Sequence, residues 1–195
     1  MRALVVVLSL LVGLGSCSPS WPAGLQLQPP VQEALPASAP RSFMHKGHVV
    51  QPQALYTVDA LVLSKAQYRA DANADVSPVD LALGWGVMAD KRVLDQLRVR
   101  QNDRYFFWSG SGPMPAPREV IEKSAANTHL VWAKKEVGEV IDDVDVGDVI
   151  HLRGALVNVT FPDGHEMLSS LSREDVGGGA CEVMWIDEAK IVPSK

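Results

Sequence analysis

Cysteine is scarce. Cys17 and Cys181 are the only two in 195 residues, so no disulfide framework holds the chain together. His151 and His165 stand apart from each other, and no second sulfur falls within ligand spacing of Cys181. That excludes a Cys/His zinc site, and no metal and no cofactor are expected. Long apolar runs are also missing beyond the amino terminus. Nothing after it approaches the roughly 18 consecutive apolar residues of a membrane-spanning helix. Basic side chains number 18 against 23 acids, a formal charge of −5. Cations scattered among acids do not make a general nucleic-acid binder, which needs Lys and Arg clustered on phosphates. The P-loop, GxSxG and HExxH signatures are absent as well.

What is present is globular composition, 47% hydrophobic, in a chain long enough for one domain with appendages. Met1-Arg2 supplies a positive start, and Ala3 to Leu14 is an apolar run. It is too short to span a bilayer and suits the core of a signal peptide. Leu14-Gly15-Ser16-Cys17 follows. This resembles the lipobox of bacterial lipoproteins. The resemblance implies removal of residues 1–16 and lipidation of Cys17 as the first mature residue. Ser18, where an aspartate would imply inner-membrane retention, implies sorting to the outer membrane. Ordinary cleavage nearby, leaving a soluble periplasmic protein, is the alternative; a Cys17–Cys181 disulfide is then open.

Six prolines between Ser18 and His45, with Ala, Ser and Gln around them, read as a semi-stiff linker over residues 17–45. His45 and His48 in HKGH read as solvent-exposed. Residues 46–195 read as one domain. Ala54–Ser64 is apolar on both faces, a central strand. Ser77-Pro78-Val79-Asp80 has the composition of a helix start. Gly84-Trp85-Gly86 interrupts it, with Trp85 expected as a core plug and a ligand-stacking platform as the lesser reading. Asp90 caps a second short helix reaching Leu97. Leu97–Gln101 and Tyr105–Ser109 form a hairpin around Asn102-Asp103. Pro117–Lys123 is a short helix, Thr128–Ala133 a strand, and Lys134–Val144 a helix with Val137, Val140, Ile141 and Val144 on one stripe. The acids from Glu136 to Asp148 are its solvated side.

Val146–Val192 is the most organised stretch: a Gly147-Asp148 turn, a β-branched run, a Pro162-Asp163-Gly164 turn, a return strand, three glycines and a closing strand. The expected fold is α+β, mainly antiparallel β, a curved sheet or small barrel with three or four short helices. GDVIHLRGALV followed by a valine-rich closing strand is similar to OB-fold barrels. DLALGWG, ANTHLV and SREDVGGGACEV resemble a family of bacterial exported proteins with no assigned activity.

Register supplies the leading site. If Phe161 faces His165, then Met167 faces Val159, Ser169 faces Val157 and Arg173 faces Arg153. His151, Arg153, Ser169 and Arg173 then share one face, and Ile150, Leu152, Leu156 and Leu168 form core on the other. Two opposed guanidiniums need a negative charge, from Glu119, Glu174 or Asp175 or from an anionic ligand. A second candidate is Cys181 as nucleophile with His129 and Asp175, a periplasmic hydrolase; its bland counterpart is a buried cysteine filler. The leading expectation is a lipoprotein of the bacterial cell envelope, on the periplasmic side. It would be a binding or assembly module whose partner is another envelope protein or a small anionic ligand.

Overall fold

The computed structural model describes residues 19–175 and 179–193. The leader and Cys17 lie outside them. The described chain is mostly strand with few helices, an antiparallel-rich α+β fold. Strands β1 (Val31–Glu33), β2 (Phe43–His45), β3 (His48–Gln67), β4 (Val79–Gly84), β5 (Leu97–Asn102) and β6 (Tyr105–Gly110) make up its first half. After them come β7 (Ala125–Val131), β8 (Val149–Thr160), β9 (Glu166–Met167) and β10 (Glu182–Val192). The helices α1 (Lys91–Leu94), α2 (Arg118–Glu122) and α3 (Lys135–Asp143) are short, and a 3-10 turn spans Gly86–Ala89.

The 20-residue β3 organises the rest. It pairs antiparallel with β1, β2, β4 and β8. β4 pairs with β7, β7 runs parallel to β10, and β10 pairs with β8. Hydrogen-bonded neighbours therefore follow the cyclic order β3, β4, β7, β10, β8 and back to β3. Register shifts at Pro52/Ala54, Val62/Ser64 and Ile186/Glu188 bend these strands. Where β8 and β10 cross, Gly154 has no alternative. A Cβ there would sit 1.9 Å from the carbonyl oxygen of Trp185, and backbone cannot step aside.

Side-chain alternation sorts the core. Tyr56, Val58, Ala60 and Val62 of β3 meet Leu81, Leu83, Leu130, Ile150, Leu152 and Met184 inside the ring of strands. Helix α3 adds Val137 and Ile141 to that cluster, and its C-cap, Val144, joins them. Its last carbonyls, of Asp142 and Val144, accept from Lys65 Nζ at 2.8 and 2.9 Å, a cation at the negative end of the helix. Trp85 is 2% exposed and its indole N–H donates to the Lys123 carbonyl at 3.1 Å. It is a core residue.

Several expectations are corrected. Ser77-Pro78-Val79-Asp80 does not start a helix, because Val79–Gly84 is strand β4. All six of its residues are buried, so both faces are covered and tertiary pairing overrides local capping chemistry. The strand expected over Thr128–Ala133 begins three residues earlier, at Ala125, and ends at Val131. Residues 19–45 are not a free tether. Trp21 is buried against Leu61, Met88 and Leu94, with Leu25 and Leu27 packed beside it. Val31–Glu33 pairs with Leu55–Thr57. His48 is buried, with Nε2 2.7 Å from Asp75 Oδ2, rather than exposed. Leu168 is 60% exposed and is no part of the core.

Candidate functional site

The hairpin of β5 and β6 turns at Asp103 and Arg104, both at positive φ (48° and 67°). Such paired left-handed residues match the twist of a two-residue hairpin. Arginine is an uncommon choice there, and its side chain explains it. Arg104 Nη2 and Nε reach both oxygens of Asp71, the closest contact being 2.7 Å. Nη1 donates to the Ser77 carbonyl at 2.9 Å and to Asp80 Oδ1 at 3.1 Å. The guanidinium stacks 3.9 Å from the Tyr68 ring centroid, and Tyr68 Oη accepts from the Arg104 amide. The planar fork thus uses its donors on three groups at once while its face stacks on a fourth, Tyr68. Asp80 is fully buried on β4, and His129 Nδ1 lies 3.0 Å from its Oδ1.

Asn127 of β7 completes the clamp. Its amide donates to the Arg104 carbonyl at 2.9 Å, and its oxygen accepts from Gln101 at 2.7 Å. The hairpin is thereby held over the outer side of β7. A groove runs between the hairpin and the segment that follows β9. One end, about 230 Å³, is bordered by Tyr105–Trp108 of β6, with Phe106 and Trp108 on the inward face of the hairpin, and by Lys123 and Arg173 across from them. The second end, about 280 Å³, is polar, with Asn73, Arg104, His129 and His165. Tyr105 and Cys181 border both ends.

The register argument holds as far as the ladder goes. Val159 pairs with Met167 and Thr160 with Glu166. The strand then stops. Ser169 turns to accept the Val183 amide on its hydroxyl at 3.1 Å, while its own amide donates to Asn158. Arg173 is therefore not opposite Arg153. Arg153 is exposed and bridges to Glu188 at 2.8 Å, and His151 pairs with Asp59 at 2.7 Å. Lys190 and then Arg153 hold the Glu188 carboxyl down to about 2. Arg173 instead pairs with Glu182, which is wholly buried. The four residues do not form one site, and only Arg173 faces the groove.

The hydrolase constellation does not assemble either. His129 takes Asp80 as its carboxylate, and Asp175 accepts from the Ser170 hydroxyl at 2.8 Å. Burial, then the charge of Glu182, pushes the Cys181 thiol up to about 11, which leaves about one thiolate in ten thousand at pH 7. Alkylation of Cys181 in a Cys17→Ser protein should therefore run at least about tenfold slower before urea unfolding than after it. Equal rates, read by mass spectrometry, would restore the nucleophile. The described residues hold no cluster of three metal-ligating side chains.

Sequence reasoning missed Arg104, Asp80, Asp71 and Asn127. The turn at Asn102-Asp103 pointed to the hairpin tip, but nothing local marked what its side chains would reach. No protein-family profile, no curated protein and no solved structure matches this chain.

Proposed function

We propose that this protein is an envelope lipoprotein whose domain is an OB-like barrel acting as a small-ligand binding module. The strand order supports the barrel reading. β3, β4 and β7 form a meander, α3 follows, and β8 and β10 complete the ring with β10 parallel to β7. In OB barrels the second and third strands and the loops after the first and fourth make the binding face. Here those parts are, among the described residues, β4, β7, residues 68–78, residues 161–175 and residues 179–181. The observation that carries the proposal is the groove itself, which lies over β7 and is bordered by β6, whose Phe106 and Trp108 face inward and whose Tyr105 and Phe107 form the rim.

A fragment screen by NMR on the labelled domain tests it. Shifts are expected to concentrate at Phe106, Trp108, Ala125, Arg173 and Cys181. Hits that map elsewhere, or none at all, would end this reading. A second reading, a partner protein, is favoured by the open face of the hairpin, where Tyr105 and Phe107 stand exposed beside Arg98 and Arg100.

The anchor rests on the lipobox resemblance at Cys17. Four Cα–Cα steps separate Cys17 from the buried Trp21, a reach of at most about 14 Å. A lipidated domain would thus sit against the membrane surface rather than nanometres away. A lipid-analogue label should mark the native chain and leave a Cys17→Ser variant unmarked and soluble. A native chain that stays unlabelled in the soluble fraction would remove the anchor.

A further inference from the structure

Glu182 is the first residue of β10 and points into the ring of strands, where it is 0% exposed. Among the described residues its one ionic partner is Arg173. Arg173 comes from the segment after β9 and also forms part of the aromatic groove's wall. Its guanidinium lies 5.9 Å from the Trp85 ring centroid. The other charged groups on that wall are committed at the surface. Lys123 bridges Glu119 and Glu174, Glu122 bridges Arg118, and Asp175 holds the Ser170 hydroxyl. Arg173 alone is tied to a group beneath the groove, and a proton can neutralise that group.

We propose that the groove takes a ring-bearing carboxylate, whose ring lies against Phe106 and Trp108 and whose anion takes Arg173 from Glu182 as Glu182 accepts a proton from solvent. The inference rests on reading the groove as the ligand site. The charge balance is closed: one anion enters, one proton enters with it, and Arg173 keeps a single full counter-charge. Groups facing the pair are few. Tyr56 approaches from β3, Asp175 from the same segment as Arg173, and Cys181 is the neighbour of Glu182 in sequence. Burial raises Glu182 to about 7 despite Arg173, so the proton exchange falls in the neutral range. Burial first, and then the charge of Glu182, also raises Tyr56, which stays protonated there.

Benzoate and benzamide are the probes, titrated against the whole domain and followed by the NMR signals of Trp108. Benzoate stays ionised throughout, because its carboxyl titrates near that of an ordinary side-chain acid, at about 4. Its affinity should rise by up to about tenfold per unit as pH falls from ~8 to ~7, and benzamide should show no such rise. Glu182→Gln should bind benzoate more tightly at pH ~8 and lose the pH dependence attributable to this group. Because Arg173→Gln strands a buried carboxylate, the informative variant is Arg173→Gln with Glu182→Gln, which should no longer prefer benzoate to benzamide. Equal binding of both probes by the native domain overturns the proposal while leaving the groove as a site. So does a pH dependence that survives Glu182→Gln. If neither probe binds, both this inference and the groove reading fail for ring-bearing ligands.

Discussion

Replacing Arg104 by alanine is expected to lower stability by about 3–5 kcal/mol, read as a shift of the urea midpoint followed by tryptophan fluorescence. The side chain of Asp80 is wholly buried, and that of Arg104 is 12% exposed. Removing the guanidinium leaves a carboxylate inside protein with only His129 and a long 3.5 Å hydrogen bond from the Ser77 hydroxyl beside it. It also removes the hydrogen bond to the Ser77 carbonyl and the stacking on Tyr68. The acid limb should change too. Burial opposes it, yet the Arg104 guanidinium holds the Asp71 carboxyl below its ordinary range. A depressed carboxylate contributes stability that is present above its unfolded pKa, near 4, and is lost as pH falls. Without Arg104 that part of the acid sensitivity should vanish. Arg104→Gly should be milder than the alanine variant by about 1 kcal/mol, because φ of 67° is easy for glycine. A loss below about 1 kcal/mol in the alanine variant would mean that water screens the cluster.

Trp85→Ala should cost a similar amount, about 3–5 kcal/mol, because a large buried ring leaves a cavity that rigid neighbours cannot close. Those neighbours are backbone as much as side chain. A Cβ on Gly84 would come within 2.4 Å of the Met88 carbonyl oxygen, so the backbone next to Trp85 is closely packed and has little room to shift. The Lys123 carbonyl would lose the indole donor as well. Trp85→Phe should lose less than half as much. Normal stability in Trp85→Ala together with lost binding of aromatic fragments would bring back the stacking reading.

The two variants probe opposite sides of the sheet. Trp85 belongs to the inner cluster around β3, β4 and β7. Asp80 and His129 alternate with the residues of that cluster, on the outer side where the hairpin tip lies. One damages the scaffold from within, and the other releases the hairpin that walls the groove.

The elements legible in the sequence were those written in a few adjacent residues. Pro162-Asp163-Gly164 set the register of β8 against β9, and the valine and isoleucine stripe announced α3. Asp90 caps α1 by accepting the Arg92 amide, as expected, although that helix ends at Leu94 rather than Leu97. The pairing of Arg153 with Arg173 failed because a period of two holds only while a ladder continues, and this one ends at Met167. The amino-terminal segment misled for a related reason. Its prolines preclude a helix, but they do not stop Trp21 and Leu27 from packing on a finished core.

The sequence by itself determined the composition class, the local turns, the amphipathic helix and the alternation that makes β3 and β8 core strands. Each follows from backbone preferences and side-chain period over a handful of residues. The tertiary structure decided that β4 is a strand, that residues 19–45 belong to the domain, and that Arg104 meets Asp80 and Arg173 meets Glu182. Those outcomes depend on partners 24 and 9 positions away or more, and on whether both sides of a segment are covered. Neither property exists until the sheet has formed.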